Sequence, residues 1–346
     1  MTAAEDIAAG DAGRFVVGTG RCGSTLLSRM LAECPAVCSL FEVLNGLDAA
    51  RRFAREPLPG PDFARLLLAE QPFLTAVLRR GYPVEEVVYP FGRGRFRRGE
   101  PMPYLAAACL PRLSEHPDAL LDALRDFARA LPPAPAAAQL RRAFAWLAAR
   151  SGRPLWIERS GSSVEYLPAL AAAFPGARFL HLHRDGPETA LSMRAHHAYR
   201  LPIALLYRAP VDGVSADALG PLELAAAPRP DDAISRILRA RPPAPLFGRY
   251  WSDQLARGLA ARGALGARYA ELAFEDLLAR PRDALARVAA FFGLPPGPWL
   301  ERASALVRGG GPRRAPGLAA EERAALEAAC APGAALLGRA PPAALG

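Results

Sequence analysis

Eight consecutive residues, Gly18-Thr-Gly-Arg-Cys-Gly-Ser-Thr25, put three glycines, one arginine and three hydroxyls between two apolar runs. The first run, Phe15 to Val17, reads as a short buried strand, and the second, residues 26–31, has helical spacing. A strand, a glycine-rich turn and a helix in that order make an anion cradle. Backbone N–H groups converge at the turn, the helix N-terminus adds partial positive charge, and glycine lets a ligand approach the main chain. The chemistry expected of Gly20, Arg21, Cys22, Gly23, Ser24 and Thr25 is the binding of a phosphate or sulfate group.

Three further polar points follow short strand-like runs. Glu42 ends Val37-Cys-Ser-Leu-Phe, Arg159 ends Leu155-Trp-Ile-Glu, and Arg184 ends Arg178-Phe-Leu-His-Leu-His. An open parallel α/β sheet binds its ligand at the carboxyl ends of its strands, so all four points are expected to share one site. Glu42 is a candidate general base, with a surface glutamate capping the next helix as the alternative reading.

The surrounding elements must hold that edge. Helical runs at 168–174, after Arg184 through Ser192 to His197, and at 250–262 and 283–292 alternate with the strands, and residues 268–278 read as a strand leading into a helix. The sequence therefore predicts an α/β fold, a parallel sheet flanked by helices as a three-layer sandwich. One domain is expected over 1–346, with its core at about 14–47, 155–198 and 250–330. Two stretches, about 48–150 and 199–245, are broken by proline-rich segments and read as insertions. The first is mostly helical (63–69, 119–131, 139–150) and the second irregular.

Composition narrows the class. The chain has 346 residues and a net charge of +9, and all 43 basic residues are arginine. Biased coding accounts for that usage, yet arginine also suits bidentate contacts to phosphate and sulfate. No window is apolar for the roughly 18 residues a membrane span needs, and residues 1–13 lack a signal-peptide pattern, so a cytoplasmic protein with no integral membrane association is expected. The five cysteines lack zinc-type pairing, and no structural metal is expected. The alternating run Phe91-Gly-Arg-Gly-Arg-Phe-Arg-Arg-Gly99 reads as a solvated basic loop, with contact to nucleic acid or an acidic acceptor as the sharper alternative. No nucleic-acid partner is expected, and a homodimer is left open.

The general nucleotide loop, G-x-x-x-x-G-K-[ST], fits only in part, since Ser24 stands at its lysine position and the charge comes earlier, from Arg21. The stretch Gly18 to Leu27 resembles instead the 5′-phosphosulfate loop of sulfotransferases that use 3′-phosphoadenosine 5′-phosphosulfate, written G-T-x-R-S-G-S-T-L-L in the carbohydrate and bacterial branches. Leu180-His-Leu-His-Arg-Asp-Gly-Pro-Glu-Thr-Ala-Leu-Ser192 resembles the family's second motif, and Trp156-Ile-Glu-Arg-Ser160 and Phe174-Pro-Gly-Ala-Arg-Phe179 are similar to two others. The segment 269–278 with Phe291-Phe-Gly-Leu-Pro295 resembles a fifth, and Arg308-Gly309 the basic loop that folds over the nucleotide. Cys22 for Ser, a shifted proline at Pro187, and Arg159 for Lys depart from the pattern.

The resemblance implies a P-loop-like fold and sulfuryl transfer without a metal, leaving adenosine 3′,5′-bisphosphate. It implies Arg184 and Ser192 on the 3′-phosphate, Arg21 and the loop N–H groups on the 5′-phosphosulfate with Arg159 assisting, and Glu42 as base, in Leu40-Phe-Glu-Val-Leu44, a context like L-F-E-P-L. The acceptor implied is a hydroxyl on a carbohydrate, lipid or natural product, read by the two insertions. A P-loop kinase or nucleotide hydrolase, and a non-catalytic nucleotide-binding member, are the alternatives. His196 and His197 are expected to be exposed at the acceptor mouth.

Overall fold

The computed structural model describes residues 13–308 and 314–338. Phe15, Val16 and Val17 are all buried, because β1 (Arg14–Gly18) lies at the centre of a five-stranded sheet with apolar layers on both faces. From β1 the chain turns into α1 (Ser24–Ala32) and returns as β2 (Val37–Phe41). The first insertion carries α2 (Gly60–Leu67), α3 (Pro72–Arg79), a π turn at Leu105–Cys109, α4 (Pro117–Ala130) and α5 (Ala136–Arg150). The sheet resumes with β3 (Leu155–Arg159), α6 (Leu167–Ala173) and β4 (Arg178–His183).

Next come α7 (Gly186–Ala195), α8 (His197–Leu206), a two-stranded ribbon, β5 (Pro210–Val211) with β6 (Val214–Ser215), and α9 (Ala233–Arg239). The remaining elements are α10 (Ala244–Ala260), β7 (Tyr269–Ala273), α11 (Phe274–Ala279), α12 (Pro281–Phe292), α13 (Trp299–Ser304) and α14 (Ala320–Leu336).

Strand order is β2-β3-β1-β4-β7, and every neighbouring pair is parallel. Side chains alternate across the pleat. Phe15 and Val17 join Leu40, Trp156 and Phe179 on one face, under the helices of the first insertion. Val16, Ile157, Leu180 and Leu182 meet α1, α12 and α13 on the other. These are the three layers the sequence predicts. A smaller apolar cluster joins α7, α8, α10 and α14.

Parallel register puts all five carboxyl ends on one edge. Phe41 pairs with Arg159, Gly18 with Leu182, and His183 with Ala273. The loop after β1, Glu42, Arg159, Arg184 and Phe274 therefore emerge side by side, and the chain reverses direction across the sheet at β1, where such folds open a crevice.

Three expectations are corrected. The second insertion is not irregular, since α8 and α9 stand in it. Pro202 lies inside α8, where it reads as a breaker, while Leu201, Ile203 and Ala204 bury the helix against its neighbours. The helix through Ser192 stops at Ala195, and His196 adopts an extended conformation before α8 begins. His196 is also buried, not exposed. The basic run 91–99 keeps its four arginines exposed, as a solvated loop should, with Arg95 paired to Asp122 of α4, its N–H and the Tyr89 hydroxyl bonded to Asp118, and Arg98 over the Phe91 ring. Among the described residues no helix is long and apolar enough to cross a membrane.

Candidate active site

Main-chain conformation marks the site first. Among the described residues five non-glycine residues have positive φ, and three of them, Arg21 (53°), Glu42 (59°) and Ser162 (53°), lie at this edge. Such backbone is costly for L-residues and persists where its surroundings hold it. At Glu42 the hold is a hydrogen bond from its N–H to the Arg159 carbonyl, 2.7 Å.

The loop itself is shaped by two left-handed glycines. Gly20 (φ 82°) lies against the Tyr199 hydroxyl and Gly23 (φ 91°) against the Phe274 ring, so closely that a Cβ at either would overlap the aromatic group. Phe274 also carries the Arg184 guanidinium 5.2 Å from its ring centre, which ties the loop to the end of β4. The Cys22 side chain points inward beneath Gly18 and is fully buried. Burial pushes its thiol up, against the opposing charge of Arg159 and nearby backbone N–H groups, so it is no acidified thiol.

Arg21, Gly23, Ser24, Thr25, Glu42, Arg159, Arg184 and Ser192 line one cavity of about 300 Å³, with Glu85, Glu86, Gly161, Tyr199 and Arg314. Arg21 donates from Nε to Ser192 Oγ (3.1 Å) and from its two terminal nitrogens to Glu86 (3.2 Å) and Glu85 (2.7 Å). This groups Arg21 with Ser192 rather than with the open face of the loop. Four guanidinium groups, of Arg21, Arg159, Arg184 and Arg314, line this cavity, a donor set that fits an anionic group.

Arg308 is exposed and is not among the lining residues, and Gly309 lies outside the described residues. Arg314 does line the cavity, held where Glu188, in the first turn of α7, accepts the N–H groups of Arg314 (2.7 Å) and Ala315 (3.1 Å).

Glu42 and Arg159 form a buried ion pair at the ends of β2 and β3. Glu42 Oε1 also accepts the Gly161 N–H (3.0 Å), and Oε2 accepts Asn45 Nδ2 (2.7 Å). Burial pushes the Glu42 carboxyl above its ordinary value, with Arg159 opposing and Glu86 adding to the rise. Arg159 further reaches Ser28 (3.3 Å) and Thr25 (3.4 Å) of α1 and stacks 3.6 Å over Phe41. It therefore links the base candidate to the loop helix.

A second cavity, about 440 Å³, opens on the other side of Glu42, and Glu42, Glu86 and Tyr199 line both. Its walls come from α3 and the segment after it, from Tyr104, and from α8, so both insertions contribute. Sequence reasoning missed Glu86, Tyr199, Phe274 and Arg314. Phe274 carried a signal as part of the segment 269–278, and Arg314 as the last residue of the basic run 308–314. Burial would raise Glu86, but the His196 ring at 2.9 Å and the Arg21 charge hold it down at about 2. His181 is buried on Tyr269 (2.6 Å), with burial lowering it to about 3, and neither His181 nor His183 lines either of these two cavities.

Glu158 lies one residue before Arg159, buried, accepting Ser160 Oγ (2.6 Å) and the Leu44 N–H (3.3 Å). Burial pushes it up to about 7. A carboxyl whose folded value exceeds its unfolded value of about 4.3 favours folding below that range and loses this contribution as pH rises through 7. Glu158→Gln should therefore raise Tm by about 5 °C at pH 8 and hardly change it at pH 4, below the unfolded value, read by calorimetry.

Fold and site together define a parallel α/β protein with an arginine-lined cavity beside a second, more apolar one. A model described as "Sulfotransferase family" matches residues 90–212, a segment holding Arg159, Arg184 and Ser192. The chain is similar in structure to the sulfotransferase domain from the curacin biosynthetic pathway (14% identity, 90% of this chain and 82% of that one, TM-score 0.44). It is also similar to the sulfotransferase domain of the Synechococcus PCC 7002 olefin synthase (18%, 96% and 90%, 0.43). A third such structure is sulfotransferase STF1 from Mycobacterium tuberculosis H37Rv (18%, 94% and 79%, 0.43). Among curated proteins nothing matches.

Proposed function

We propose that this chain transfers a sulfuryl group from 3′-phosphoadenosine 5′-phosphosulfate to an acceptor hydroxyl. The observation that carries the reading is the shared wall: Glu42 faces both the arginine-lined cavity and the second cavity. A donor anion held in the first and an alcohol in the second would meet at its carboxylate.

In that arrangement Arg184, Ser192 and Arg21 form the 3′-phosphate pole, and the first turn of α1 with Ser24 and Thr25 receives the 5′-phosphosulfate. Glu42 takes the proton of the acceptor hydroxyl as its oxygen bonds to sulfur, and the bond from sulfur to the 5′-phosphate breaks on the opposite side. Charge spreads over the sulfuryl and bridging oxygens, and fixed N–H groups and guanidinium charge stabilise it without reorganisation. Arg159 positions Glu42 and Thr25. Among the described residues no group of three or more His, Cys, Asp or Glu side chains is placed to hold a metal ion.

Calorimetric titration with adenosine 3′,5′-bisphosphate in the presence of a chelator tests the donor side. Saturable binding is expected without Mg²⁺, and preference for Mg²⁺–ATP would point to a kinase or hydrolase instead. Incubation with radiolabelled donor and a panel of alcohols tests transfer, and a label that never leaves the donor would overturn the reading.

A further inference from the structure

We propose that the second cavity selects a neutral alcohol with an apolar body, and that its charge pattern turns away anionic acceptors. This rests on the sulfuryl-transfer reading of the adjoining cavity. The chain carries 43 basic residues, all arginine, and four of them line the donor cavity, yet none lines the second. Its charged groups are Glu42, Glu86 and Glu165, with His196 on Glu86. Glu42 is paired with Arg159, Glu86 with Arg21 and Glu165 with Arg257, so a carboxylate or phosphate on the acceptor would meet carboxylates in the lining and no uncommitted guanidinium, which is unfavourable.

The rest of the lining is mainly apolar, with Leu74, Val77, Val84, Leu201 and Ile203 as the buried wall. Phe73 and Leu206 continue that surface outward, 37% and 62% exposed, and they are two of the few large apolar side chains that the described residues leave in solvent. The Tyr104 and Tyr199 hydroxyls, both pushed well above their ordinary values by burial, stay protonated. They give the hydroxyl end of an acceptor neutral partners next to Glu42. A volume of about 440 Å³ suits a small organic molecule. A longer apolar chain would leave through the mouth across Phe73 and Leu206. A bare sugar would leave the apolar walls without apolar partners.

The test is a binding titration that needs no turnover. The intact chain, alone and saturated with adenosine 3′,5′-bisphosphate, is titrated with decane-1,2-diol, with 2-hydroxydecanoate, which differs by one carboxylate, and with glucose. The diol should bind at least about tenfold more tightly than either comparator. Leu206→Asp, at an exposed position, should weaken the diol about fivefold or more while the affinity for adenosine 3′,5′-bisphosphate stays as it was. Equal or tighter binding of 2-hydroxydecanoate or glucose, or an unmoved diol affinity in Leu206→Asp, overturns the inference. A chain that binds the diol as expected but transfers no label to it overturns the proposed function and leaves this inference standing.

Discussion

Glu42→Gln should reduce turnover by about 10²–10⁴-fold, the usual contribution of an aligned general base, and leave adenosine 3′,5′-bisphosphate affinity unchanged. The substitution keeps an oxygen for the Gly161 N–H and for Arg159, so the fold at the end of β2 should survive. What disappears is the anionic oxygen that takes the acceptor proton. Because burial raises the Glu42 carboxyl, the ionised form it needs as a base is lost as pH falls through that raised value. The acid limb of kcat/KM should therefore lie above the ordinary glutamate value of about 4.3. Arg159 opposes the rise, so Arg159→Met should move the limb further up and not merely lower the rate. An acid limb that does not move in Arg159→Met would remove Arg159 from this role, and unchanged turnover in Glu42→Gln would remove Glu42.

The second large effect concerns the other pole. Arg184→Ala should weaken adenosine 3′,5′-bisphosphate by roughly 10–150-fold, as expected for a charge-assisted hydrogen bond worth about 1.5–3 kcal/mol. Affinity for adenosine 5′-monophosphate, which lacks the 3′-phosphate, should hardly change. Ser192→Ala should act in the same direction with a smaller effect, and the double variant should lose less than the sum, because both groups meet one phosphate and Ser192 also holds Arg21 at 3.1 Å. Equal losses for both nucleotides would mean that Arg184 shapes the pocket and does not read the 3′-phosphate.

The strands were legible because their signals are local. Residues 37–41 and 178–183 read correctly to the residue, since each is a short apolar run bounded by turn residues and ending in a charged group. Parallel order then put Glu42, Arg159 and Arg184 on one edge without further information. What escaped the sequence belongs to tertiary packing. Glu85 and Glu86 sit in an irregular segment with no periodicity, and only the fold carries them onto Arg21. Tyr199 was hidden in a helix that Pro202 disguises. Among the described residues Arg314 lines the cavity, and Glu188 holds it through the N–H groups of Arg314 and Ala315, a contact no motif spacing encodes. The buried state of Glu42 was likewise invisible, since a lone glutamate after a strand reads equally as a surface cap.

The carboxylates on Arg21 bear on how such a protein would turn over. Before any ligand arrives, Arg21 already has Glu85 and Glu86 as counter-ions, one of them largely in solvent. Under the proposed reading, donor binding is then an exchange of one anion for another. The net gain is smaller than the count of arginines suggests, and each departing product finds a replacement waiting. The donor pole behaves as an ion exchanger, built for release as much as for capture.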